Sequence, residues 1–103
     1  MRKPADTFSV TLRVSTRDPS MLLSVIDSLK KVFQDYATLC GVTAGTIGKC
    51  LLIVSPVVNE YSGRIGGIPS LRLLVKCESA DEFMFVFKEL AKALPEGTMV
   101  SLE

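Results

Sequence analysis

The stretch Phe33-Gln34-Asp35-Tyr36-Ala37-Thr38-Leu39-Cys40-Gly41-Val42-Thr43-Ala44-Gly45-Thr46-Ile47-Gly48-Lys49-Cys50-Leu51-Leu52-Ile53-Val54-Ser55 decides how many strands this chain has. Ahead of it, Met21, Leu22, Val25, Ile26 and Leu29 recur at three- and four-residue steps, and Val32, Phe33 and Tyr36 continue them. Asp27, Lys30, Lys31, Gln34 and Asp35 lie off that stripe, which is the period of an amphipathic helix. On this reading the helix runs through Tyr36, and Gly41, just after Cys40, supplies its C-terminal stop. Val42 to Gly48, small, polar and glycine-containing, then reads as a connection. The continuous Leu51-Leu52-Ile53-Val54 run within Cys50 to Ser55 reads as a strand buried on both faces.

Upstream, Phe8, Val10, Leu12 and Val14 alternate with Ser9, Thr11 and Arg13, the period-two pattern of a half-buried strand. Asp18 followed by Pro19 predicts the start of the first helix: a carboxylate accepts from orphan N–H groups, and proline suits the first turn. Downstream, Leu71 to Cys77 reads as a further strand, joined to the Cys50–Ser55 run by a glycine-rich segment from Val57 to Pro69. The two runs are expected to pair as an antiparallel ribbon whose tip is mobile unless an outside group holds it. Ser79 and Glu82 have capping-box spacing, and Phe83, Val86, Phe87, Leu90, Ala91 and Leu94 continue at helical steps. Pro95 and Gly97 end that helix, and Val100 with Leu102 makes a last short strand.

The order strand, helix, strand, strand, helix, strand predicts an α+β fold, a ferredoxin-like split βαβ sandwich (βαββαβ). It places two helices on one face of a four-stranded antiparallel sheet, with a long extended loop between strands two and three. Residues 8–103 form a single domain in this reading, after an N-terminal tail of residues 1–7. Pro4, Ala5 and Asp6 interrupt the charged start Met1-Arg2-Lys3 where a signal peptide needs an apolar run. The 103 residues, 48% hydrophobic and 22% charged, suffice for one core, and no apolar run approaches the length that spans a bilayer. A soluble intracellular protein is the expectation.

A formal net charge of +1 provides no long-range field toward nucleic acid or an anionic membrane. The absence of histidine removes Ser-His and Cys-His nucleophile pairs. Cys40, Cys50 and Cys77, odd in number and at least ten residues apart, suggest buried reduced thiols rather than a metal site or disulfide framework. Asp81 and Glu82 favour the start of their helix and need no acid/base role. Gly63-Arg64-Ile65-Gly66-Gly67 lacks the Gly-Lys-Ser/Thr that opens a helix in a phosphate-binding loop. No catalytic residue, metal or cofactor is expected, and the chain reads as a non-enzyme. Candidate binding residues cluster around the ribbon. Gly66 and Gly67 permit close backbone approach, Arg64 lies in the tip, Arg72 interrupts an apolar strand, and Tyr61 reads equally as a ring to stack on a base or a partner and as a loop anchor.

Ser55-Pro56-Val57-Val58-Asn59, Arg72-Leu73-Leu74-Val75 and Leu94-Pro95-Glu96-Gly97-Thr98-Met99-Val100-Ser101-Leu102 together resemble motifs of the family of the tenth protein of the small ribosomal subunit. The resemblance implies a structural constituent of the head of that subunit, contacting ribosomal RNA and neighbouring ribosomal proteins through the central loop. It adds Ser55, Pro56 and Asn59 to the candidate contacts, and implies neither a membrane nor a small-molecule substrate. Gly66, Gly67, Ile68 and Pro69 stand where that family carries cations, which favours protein contacts and, with the low net charge, a mitochondrial over a bacterial ribosome. A second resemblance is to ACT domains, small amino-acid-sensing or oligomerising modules. It is carried by Thr16-Arg17-Asp18-Pro19-Ser20-Met21-Leu22, with serine in place of the glycine that lets the backbone approach a ligand.

Overall fold

The computed structural model describes residues 8–18, 20–57 and 70–103. Its elements are β1 (Phe8–Thr16), α1 (Met21–Val32), β2 (Asp35–Leu39), β3 (Val42–Ile47), β4 (Cys50–Val57), β5 (Ser70–Cys77), α2 (Ala80–Ala93) and β6 (Thr98–Leu102). All strand pairings are antiparallel, in one open six-stranded sheet of order β2-β3-β4-β5-β1-β6. The expected four-stranded ferredoxin-like sheet is therefore corrected. The two additional strands come from the segment assigned to the end of the first helix and to a connection.

The helix stops at Val32 because Phe33 takes an extended conformation (φ −66°, ψ 136°) while its N–H still donates to the Leu29 carbonyl at 3.1 Å. Gln34 N–H then donates to the Thr46 carbonyl at 2.8 Å, and the chain enters the sheet. Cys40 (φ 53°) and Gly41 (φ 82°) form the two-residue turn between the paired Leu39 and Val42. Positive φ at both central positions is the hairpin turn whose twist matches its strands. Thr38, Val42, Thr43, Thr46 and Ile47 are β-branched and suit a pleated surface, and the Thr38 and Thr43 hydroxyls lie 3.0 Å apart across the hairpin. A second two-residue turn led by Gly48 (φ 60°) joins Ile47 to Cys50.

One face of the sheet carries the core. Leu12 and Val14 of β1, Leu52 and Val54 of β4, and Leu71, Leu73 and Val75 of β5 are buried in one cluster with Val25 and Leu29 of α1 and Val86 and Leu90 of α2. Between helices and sheet, Leu12, Leu29, Leu73 and Phe87 line an apolar slot of about 20 Å³, space for one water at most. Phe33 closes the core beyond the end of α1 by lying on Gly45 of β3, where a Cβ would overlap its ring. β4 alternates between buried and accessible residues, so it is covered on one face and not on both.

Two local expectations change. Asp18 does not cap α1: its carboxylate accepts from Ser20 N–H at 3.1 Å in the preceding turn, and Ser20 at the cap position makes no side-chain cap bond. In α2, by contrast, Ser79 Oγ accepts from Glu82 N–H at 3.3 Å, half of the expected capping box. The cysteines also differ, for Cys50 and Cys77 form a disulfide with Cα atoms 4.2 Å apart, while Cys40 is free and exposed. The cause is register: Leu51 pairs with Lys76, which puts Cys50 directly opposite Cys77 despite a separation of 27 residues.

The Phe33–Gly45 contact is testable. Gly45→Ala should lower stability by roughly 1–3 kcal/mol through overpacking, read as a lower urea midpoint at unchanged slope. A midpoint equal to wild type would mean that Phe33 moves aside freely and does not pin α1 to β3.

Candidate binding face

Among the described residues, no layer covers the other face of the sheet. By the strand pairings its central row runs Ala37, Ala44, Ile53, Leu74, Thr11, and the flanking row runs Asp35, Thr46, Leu51, Lys76, Ser9. A third row holds Ser55, Arg72, Arg13 and Ser101. Leu39 (77% exposed) and Val42 extend the aliphatic part at the β2–β3 turn, Val57 extends it at the end of β4, and Met99 (57% exposed) adds to the face on β6. The face thus divides. Its β2–β4 half is aliphatic, and its β5–β1 half carries the cations. None of the aromatic rings of the described residues lies on it: Phe8, Phe33, Tyr36, Phe83 and Phe87 form ring pairs on the helix side.

The polar half is organised by one carboxylate. Arg13 and Arg72 are direct cross-strand partners, an arrangement that like charges make unfavourable. Glu103, one residue beyond β6, resolves it. Its N–H donates to the Thr11 carbonyl at 3.0 Å, and its side chain reaches both arginines. Arg72 Nε donates to Oε1 at 2.7 Å and Nη2 to Oε2 at 3.3 Å, while Arg13 Nε and Nη2 donate to Oε2 at 3.0 and 2.5 Å. The hydrogen bonds from Arg72 and then Arg13 hold the Glu103 carboxyl down at about 2, below its ordinary 4.5.

Of the residues singled out in the sequence, Ser55 and Arg72 are brought together as cross-strand partners on this face. Pro56, exposed at the end of β4, pairs with Leu71 and by alternation belongs to the opposite face. Asn59, Tyr61, Arg64, Gly66 and Gly67, and with them the ribbon tip, lie outside the described residues. Sequence reasoning did not single out Ile53, Leu74, Arg13 or Glu103 as functional. Arg72 and Lys76, two residues to either side of Leu74, were the signal that could have found Leu74; Ile53 sits in a continuous apolar run, and the Arg13–Glu103–Arg72 cluster has no local signature.

An open groove on the molecule's edge is lined by Arg17, Asp18 and Met21 at the β1–α1 turn and by Gly97, Thr98 and Met99 at the start of β6. The Thr98 hydroxyl beside it is buried and makes no hydrogen bond among the described residues. Among those residues no three His, Cys, Asp or Glu side chains converge on a possible metal position, and no helix is long and apolar enough to cross a membrane.

Because the Glu103 carboxyl is depressed in the folded state, its contribution to stability is complete above its ordinary 4.5 and is lost as pH falls through about 2. Glu103→Gln should therefore flatten the fall in urea midpoint between those pH values, leaving the neutral-pH fold intact. An acid limb identical to that of wild type would show that the ion pairs do not persist in solution. Compared with known proteins, the chain matches no family model, no curated protein and no solved structure.

Proposed function

We propose that this chain is a non-catalytic assembly domain that pairs with a second copy of itself through the uncovered face of its sheet. The observation that carries the reading is the aliphatic part of that face, where Leu39, Val42, Leu51 and Ile53, with Leu74 beside them on β5, have no covering layer among the described residues. Burying such a patch is the dominant favourable term in association, at about 25 cal/mol per Å² of apolar surface. Six strands about 4.8 Å apart and about 20 Å long span a plane of about 600 Å². Side-chain relief brings this close to the roughly 800 Å² per partner of a standard interface.

A second copy suits the face because the sheet's midline falls between β4 and β5. A twofold axis along that line lays Ile53 of one copy on Leu74 of the other and the reverse, since the two residues are cross-strand partners at the midline. Such reciprocity is what an isologous interface requires. The stems of Lys76 would then cover Leu51 while their ammonium groups stay in water. A ribosomal particle, suggested by the motifs at Ser55-Pro56 and Leu94–Leu102, is one assembly that such a domain could serve. However, the described residues of the face include no aromatic ring to serve as a platform for bases.

Sedimentation equilibrium tests the reading. At about 100 μM chain, two decades above a micromolar dissociation constant, wild type should be a dimer and Ile53→Lys a folded monomer. A monomeric wild type at that concentration would sink the proposal.

A second reading, amino-acid sensing, draws support from the groove at the β1–α1 turn. There Arg17 and Asp18 offer a cation and a carboxylate to the two charged ends of a free amino acid, and Met21 and Met99 offer apolar surface to its side chain. Calorimetry against a panel of amino acids should give saturable heat that Arg17→Gln removes. Silence across the panel ends this reading and leaves the pairing reading untouched.

A further inference from the structure

We propose that Arg13 and Arg72 form a carboxylate-binding fork on the outer sheet face, filled in the isolated chain by Glu103 and open to an acidic side chain of a protein partner. The register makes Arg13 and Arg72 cross-strand neighbours, and an anion between their guanidinium groups relieves the repulsion whatever its source. The resident shows the ligand's shape. Arg72 meets a planar carboxylate with two parallel donors, Nε to one oxygen and Nη2 to the other, the geometry in which guanidinium recognises carboxylate. Arg13 adds two more donors to the second oxygen.

Glu103 is built to be exchangeable. It lies beyond the last residue of β6, so its side chain can leave without unpairing that strand. The Arg13 and Arg72 side chains are 43% and 49% exposed, and exposed ion pairs gain little over water. An incoming carboxylate therefore competes on near-equal terms, and more so when neighbouring contacts hold it in place. A protein carboxylate fits better than a nucleic-acid phosphate, because the described residues of the same face include aliphatic side chains and no aromatic ring. The fork lies at the edge of the aliphatic half, where an acidic side chain can register a partner whose apolar surface covers Ile53 and Leu74. The inference does not depend on the partner being a second copy.

The test is binding of a short fluorescent poly-glutamate peptide by anisotropy at constant ionic strength, with inorganic phosphate as a competitor. Removing the internal competitor with Glu103→Gln should tighten binding about fivefold, and Glu103→Gln combined with Arg72→Gln should abolish the gain. Arg72→Gln alone, with Glu103 in place, should weaken binding and provides the reading should Glu103→Gln fold poorly. Equal affinities for wild type and Glu103→Gln, or a double variant that binds as tightly as Glu103→Gln, would overturn the proposal. It would also fail if phosphate bound to Glu103→Gln while the peptide did not.

Discussion

The register between β4 and β5 is the constraint on which the rest of the molecule depends. With Leu52 opposite Val75 and Val54 opposite Leu73, four fully or nearly fully buried side chains form the middle of the core. A slip of one residue in β5 would turn Leu73 and Val75 to solvent and send Leu74 and Arg72 under the helices. The Cys50–Cys77 disulfide closes the end of this ribbon and excludes the slip covalently. In the chain-entropy description a loop of this length contributes about 3–4 kcal/mol, a substantial share of the total stability of a small domain. β1 then adds to the free edge of β5 and β6 to that of β1, so the position of every outer-face residue follows from this one pairing.

The β2–β3 hairpin makes the sheet wider than its cover. Two helices, each about 10 Å across, shield about 20 Å, whereas six strands span nearly 30 Å. The deficit falls at β2, all of whose residues are exposed. β3 keeps a buried row because Phe33 reaches over Gly45 beyond the end of α1, and the Tyr36 ring packs at a tilt against Phe33 in turn. The aliphatic half of the outer face and this thin edge therefore occur together: both belong to strands added on the side away from β1 and β6.

How much of this could be read from the residues depends on whether a pattern was local. β1 was legible because its alternation matches one covered face, and α2 because Ser79 caps it as its spacing to Glu82 suggests. β2 was not. Phe33 and Tyr36 continue the three-residue steps of α1, and a positive-φ residue after an apolar run serves a helix stop and a hairpin turn equally well, so Cys40-Gly41 was ambiguous. The continuous apolar run of β4 concealed that Leu51 and Ile53 lie on the open face, since aliphatic residues on an uncovered face look like those of a strand buried on both sides. For the candidate site, Arg72 stood out as a charge in an apolar strand. Its partner Glu103 is 31 residues away and its neighbour Arg13 is on another strand, and only the register joins them.

The two halves of the outer face complement each other physically. An aliphatic surface supplies association energy but little orientation, because burial is non-directional. A guanidinium pair in water supplies little energy but strict geometry, because each donor must meet an oxygen in plane. In the proposed interface the first would hold a partner and the second would select its alignment, the usual division between apolar contact and charge in recognition. Glu103 adds a further effect. By filling the fork it removes the repulsion between Arg13 and Arg72 in the unbound chain, so the register that creates the site is not destabilised by it.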